Sequence, residues 1–152
     1  MIERNYMKIN KLYTYPRSMR SVINGGRHYE IDGGKLPSVT TILSATQSDE
    51  KKASLAAWKA KMGDKAADEV RDTAAARGTA MHTYLEHYLD GTGYKDLTTL
   101  GKQAEVMANK IIESGLGDLE ELWGLETTLY YPDLYAGATD VVGVYAGQPA
   151  II

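Results

Sequence analysis

Cysteine is absent from the 152 residues, which excludes a disulfide framework and a thiolate-held zinc site. No apolar run approaches the roughly 20 residues that a membrane span requires. Nor does a basic-then-apolar leader pattern open the chain. These absences point to a reducing, cytosolic setting and no membrane partner. Positive charge is not in excess either: 17 Lys and Arg against 20 Asp and Glu give a formal net charge of −3. That balance does not suit a basic nucleic-acid coat protein, but it leaves room for an enzyme with a local basic cleft. No internal repeat, low-complexity tract or linker interrupts the chain. What is present is ordinary for a globular protein, 43% hydrophobic and 24% charged residues, over about one domain's length.

Along the chain, Asn24-Gly25-Gly26 and Asp32-Gly33-Gly34 are turn signals flanking the alternating run Arg27-His-Tyr-Glu-Ile31, which predicts an N-terminal hairpin within residues 1–35. Next comes Leu36-Pro-Ser-Val-Thr-Thr-Ile-Leu43, where Ser38 can cap a short helix carrying Val39, Ile42 and Leu43. The hydroxyls of Ser38, Thr40 and Thr41 would equally suit a phosphate at that helix start. Ser48-Asp49 caps a second helix that carries Leu55, Ala56 and Trp58 and stops at Gly63. A long helix then spans Asp64 to Asp90, and a fourth begins at Thr98 or Thr99 and closes at Gly115. Beyond it the period changes to two. Trp123, Leu125, Thr127, Leu129 and Tyr131 are expected on one face of a strand, with Glu126 and Thr128 on the other. Ala138 to Tyr145 reads as a second strand, and Pro149 to Ile152 as the start of a third. The fold class is therefore α+β, helices first and then an antiparallel-looking sheet.

The chemistry-bearing residues are few. His82 and Glu86 lie one turn apart on the long helix, beside an apolar stripe of Met81, Leu85, Tyr88 and Leu89. Gly78, a turn earlier, would allow a backbone or ligand to come close. In Gly137-Ala-Thr-Asp140 a carboxylate opens an apolar strand, Val141-Val-Gly-Val-Tyr145, where it is costly unless paired, at an edge or on a cation. Glu126 would converge with Asp140 if their strands pair. One imidazole with carboxylates and no thiols suits Mg²⁺ or Mn²⁺ better than a structural zinc. Each residue also has a plainer reading. A single histidine on a half-apolar helix face is more often a packing residue than a ligand. Asp140 could simply start a strand, Glu86 could be a solvated helix glutamate, and Glu126 could sit on an exposed sheet face. His28 and His87 read as structural, and Trp58 as a core residue.

The order of Leu36-Pro-Ser-Val-Thr-Thr-Ile-Leu43, Trp58, Gly63, Ala76-Arg-Gly-Thr-Ala-Met-His82, Glu86-x-Tyr88-Leu89, Gly137-Ala-Thr-Asp140 and Pro149-Ala-Ile-Ile152 resembles RecB-like exonucleases of the PD-(D/E)xK superfamily. The likeness extends to phage exonucleases and the mitochondrial genome maintenance exonuclease. It runs from about Leu36 to Ile152. It implies a restriction-endonuclease-like core over residues 36–152 and a Mg²⁺- or Mn²⁺-dependent exonuclease acting on DNA, on single-stranded ends, in replication, recombination or repair. A phage-encoded member would work in the host cytoplasm. By position, the resemblance assigns His82 and Asp140 to the metal and Glu126, more weakly, to the catalytic site. Candidate DNA contacts are Arg77, Ser38, Thr40 and Lys59. It further implies that the strand beginning at Pro149 runs into an Asp/Glu-x-Lys motif and later a Gln-x-x-x-Tyr helix, neither of which is in this sequence. The expectation is a fragment that stops before the second metal carboxylate and the lysine, nearly inactive alone. The competing expectation is a non-catalytic nucleic-acid-binding or interaction module on a nuclease-like fold.

Overall fold

Three two-residue turns set much of the strand pairing. Asn24-Gly25, Asp32-Gly33 and Ala146-Gly147 all have both residues at positive φ, the geometry that matches the right-handed twist of paired strands. The computed structural model describes residues 7–152. In chain order the elements are β1 (Lys8–Ile9), β2 (Met19–Ile23), β3 (Gly26–Ile31), β4 (Gly34–Pro37), α1 (Val39–Ala45), α2 (Asp49–Met62), α3 (Asp64–Asp90), α4 (Thr99–Gly115), β5 (Leu119–Tyr131), β6 (Tyr135–Tyr145) and β7 (Gln148–Ile151). The class is α+β. Among the described residues no helix is long and apolar enough to cross a membrane.

The expected N-terminal hairpin is a three-stranded antiparallel sheet, β2-β3-β4, because both glycine turns close a strand pair. Residues 1–6 of the expected extension lie outside the described residues. This small sheet docks on the rest of the chain through Tyr29 and Ile31, which share a buried cluster with Ala136 of β6.

The helix ends follow their capping residues. Ser38, Ser48 and Thr98 each accept a backbone N–H from three residues on, at 3.0, 3.3 and 3.0 Å. Gly63 and Gly91, at φ 84° and 79°, close α2 and α3. Helix α3 packs on α4 through Tyr84, Ala104 and Ala108, and its last turn packs on the larger sheet through Leu89. Helix α2 buries nothing: Leu55, Trp58 and Met62 are all exposed. Trp58 is therefore not the core residue the sequence suggested, since among the described residues nothing buries that face of α2.

The larger sheet has the order β1-β5-β6-β7 and is mixed, because β1 runs parallel to β5. Strand β5 starts at Leu119, four residues before the expected Trp123, and its pairing with β6 slips twice, between Leu119 and Glu121 and between Leu122 and Gly124. Each slip advances the phase by one residue. Leu119 and Leu122 consequently share one buried cluster with Val141 and Leu89, and Leu125 packs against it. The expected strict alternation along β5 does not hold.

Strand β7 lies at the sheet's edge. Val141 and Ile152 exchange both backbone hydrogen bonds at 2.9 Å. Since bonded and non-bonded pairs alternate, the Val142–Ile151 and Val144–Pro149 pairs are the non-bonded ones, and Ile151 and Pro149 turn their backbone groups outward. Pro149 has no N–H to present there.

Candidate metal site

Three elements bring one polar side chain each to a single cleft. Helix α3 supplies His82, held in place by neighbours on the same helix, Tyr84 and Leu89, that are anchored in two core clusters. Strand β6 supplies Asp140, the residue before the buried Val141. Strand β5 supplies Glu126, across the sheet from Asp140 by the register of Leu125 with Val141 and Thr127 with Thr139. One ligand atom from each of His82, Glu126 and Asp140 lies within 4.8 Å of the others. His82 Nδ1 donates to Asp140 Oδ1 at 3.0 Å, with the two side chains 46% and 51% exposed, so the pair is open to solvent at the cleft mouth. Behind it is a cavity of about 210 Å³ whose apolar walls include Leu85, Leu89, Ile111 and Leu125.

Glu126 reaches the cleft through an unusual backbone. Its φ is +51°, left-handed, in the middle of a strand. A residue with a Cβ in that region costs on the order of 1–2 kcal/mol. The effect on direction is plain from the neighbours. Consecutive residues Leu125 and Glu126 both line the same cleft. Gly124 and Thr127, three apart, share the opposite side, where a Cβ at Gly124 would meet Thr127 Cγ2 and the Tyr15 ring. A regular strand would have sent Glu126 away from His82.

The electrostatics of the cleft are those of crowded carboxylates. The Glu126 carboxyl is pushed above the usual carboxylate range, first by burial, then by hydrogen bonding to Asp140 and by repulsion from Asp140 and Glu86, with His82 opposing. Glu86 thus belongs to the site's charge although it is not among the three converging ligands. Two carboxylates and an imidazole that crowd one another around a half-open cleft are a donor set fit for a hard divalent cation, which would relieve their repulsion.

The other expected site residues lie elsewhere. Ser38 is 2% exposed; its Oγ accepts the Thr41 N–H and lies 2.8 and 2.9 Å from the Thr40 and Thr41 hydroxyls, so it caps α1 and is not accessible to a phosphate. Thr40 is exposed, with its hydroxyl joined to Ser38. Lys59 faces Asp64 at 3.8 Å and Asp68 at 3.9 Å, so its charge is already answered within the α2–α3 hairpin. Arg77 lines a shallow cavity with Val70, Thr73 and Ala74, on a side of α3 turned roughly 140° from His82. A Cβ at Gly78 would meet nothing within 4 Å, so among the described residues no backbone uses the close approach that the glycine allows. His28 bonds the Gly26 carbonyl and His87 bonds Thr92 and stacks on Tyr94, both local roles.

Gly124 was the signal that the sequence reading passed over. A glycine inside an apolar strand marks a bulge or a close approach, and here it marks both. Comparison with protein-family models and with curated proteins finds no match for this chain. The fold and the cleft define an α+β protein with a candidate three-residue cation site.

Proposed function

We propose that this chain carries the metal centre of a divalent-cation-dependent DNA nuclease of the RecB-like kind, acting from single-stranded ends. The observation that carries the reading is the convergence of His82, Glu126 and Asp140 from α3, β5 and β6 into one cleft. The order of sequence motifs supports it. A Mg²⁺ or Mn²⁺ ion held there would polarise a scissile phosphate and acidify a water. The residues of the chain have separable parts in this scheme. Asp140 and Glu126 supply the negative charge that attracts the cation. His82 fixes the Asp140 carboxylate by its 3.0 Å hydrogen bond. The apolar wall of Leu85, Leu125 and Ile111 limits water behind the ligands and strengthens their field. Phage origin and a role in replication, recombination or repair fit the same reading.

Among the described residues lining the cleft there is no lysine or arginine. Without a cation the cleft repels a phosphate, and without a basic group it lacks one source of help for the attacking water. DNA binding should therefore require the divalent ion, and hydrolysis by this chain should be slow. The same feature gives a second reading some weight, a nucleic-acid-binding module with no chemistry.

The test is Mn²⁺ titration by calorimetry, followed by incubation with end-labelled single-stranded DNA. The parent chain should bind Mn²⁺, and Asp140→Ala should weaken binding at least about tenfold, since that variant removes a ligand. Slow Mn²⁺-dependent loss of end label by the parent alone supports the nuclease. Mn²⁺-dependent retention of DNA without any cleavage supports the second reading. Equal Mn²⁺ affinity of parent and Asp140→Ala would sink the site.

A further inference from the structure

Glu126 points into the cleft only because β5 is irregular, so whatever holds that irregularity helps build the site. Tyr15 is placed to do this. Its phenol lies against the strand on the side away from the cleft. A Cβ added at Gly124 would sit 2.7 Å from both Tyr15 Cζ and Oη, and 2.8 Å from Thr127 Cγ2. Gly124 is thus the one residue type that lets the ring come down onto the strand. The position is immediately after the slip between Leu122 and Gly124 and two residues before the left-handed Glu126. Thr127, on the far side of Glu126, also touches that point. Tyr15 and Thr127 therefore crowd the same point on the strand, beside the distorted segment.

We propose that Tyr15 is a positioning residue, whose ring seated over Gly124 locks the β5 distortion that aims Glu126 at His82 and Asp140. It acts by bulk. The Tyr15 hydroxyl is buried and bonds no protein group among the described residues, and the same is true of Thr127 Oγ1. Burial also pushes the phenol above its ordinary range, so it is uncharged at neutral pH. The neighbouring Tyr13 is a built-in control. It meets the same strand at Trp123, 5.7 Å between ring centroids, yet is itself exposed, and the ring nearest the Gly124 position is that of Tyr15.

The inference rests on the metal reading, and Mn²⁺ titration separates the two. Tyr15→Ala should weaken Mn²⁺ about tenfold, the scale seen when a group that orients a metal ligand is removed. Tyr15→Phe should keep parental affinity, because the ring remains. Tyr13→Ala should also keep it, whatever it does to stability. Gly124→Ala should behave like Tyr15→Ala, since the new methyl displaces the ring, and it decides the matter if Tyr15→Ala does not fold. Parental Mn²⁺ affinity in both Tyr15→Ala and Gly124→Ala overturns the positioning role while leaving the metal site standing. Equal weakening by Tyr13→Ala overturns it too, because the effect would then be general loosening. No Mn²⁺ binding by the parent chain removes the metal reading and this inference together.

Discussion

Glu126 pays for its direction twice, once in backbone conformation and once in charge. A glutamate at φ +51° is strained by its Cβ, and its carboxyl is crowded by Asp140 and Glu86. Strain kept at a cluster of converging polar groups points to function. Asparagine tolerates the left-handed region and carries no charge. Glu126→Asn should therefore raise stability by about 1 kcal/mol while weakening Mn²⁺. Chemical denaturation paired with the metal titration would measure both. A variant that loses stability and metal affinity together would show that the left-handed backbone is not strained here. Ser38 teaches the opposite lesson at the same scale. As a serine at a helix start it looks like a phosphate contact, but its hydroxyl is consumed by the cap and by Thr40 and Thr41.

Among the strands, β1 is the shortest, two residues paired to β5. Its attachment is reinforced by Glu121, which accepts from Asn10 Nδ2 at 2.9 Å and lies 3.5 Å from Lys8 Nζ. These partners, Asn10 first, hold the Glu121 carboxyl below its ordinary range. A depressed carboxyl stabilises the folded form above its unfolded pKa and loses that effect as pH falls through the folded value. Acidification below about pH 4 should therefore release β1 before the rest of the sheet. Hydrogen exchange at the Asn10 amide, bonded to Leu122 O at 2.9 Å, would report it. Protection that ignores pH down to the global acid transition would count against the idea, and Glu121→Gln should flatten the dependence.

The helices were legible in the sequence because each boundary is written in a local cap: Ser38, Ser48, Gly63, Gly91 and Thr98 act within one turn of themselves. The strands were less so. Two slips on β5 replace a period of two by a spacing of three between Leu119, Leu122 and Leu125, and a two-residue strand such as β1 has no period to detect. The meeting of His82 with Asp140 was an expectation from motif order, and the structure does place them together. For the left-handed turn that brings Glu126 to them, the sequence offers only Gly124 as a local mark of an irregular strand; the ring that fills the space, Tyr15, lies more than a hundred residues away from Glu126. The partners of Lys59 were likewise not legible. Its charge is answered across the α2–α3 turn by Asp64 and Asp68.

At the scale of the whole molecule, stability is unevenly spread. The sheet, α4 and the C-terminal half of α3 share the buried clusters, while α2 contributes no buried residue. The site sits on the well-packed side, with His82, Glu126 and Asp140 each on an element that joins a core cluster. Among the described residues no strand pairs with the outer side of β7, and Pro149 governs how that flank would meet another strand. Of its two outward-facing positions, Ile151 offers an amide and Pro149 cannot, so an incoming strand finds one donor where it needs a ladder. With Ile151 67% exposed beside it, the flank is sticky in composition but poor in hydrogen bonding. Pro149→Thr would restore the missing donor. Sedimentation should then show more concentration-dependent self-association than the parent shows, and a variant that sediments like the parent would show that the proline does not hinder strand addition at this flank.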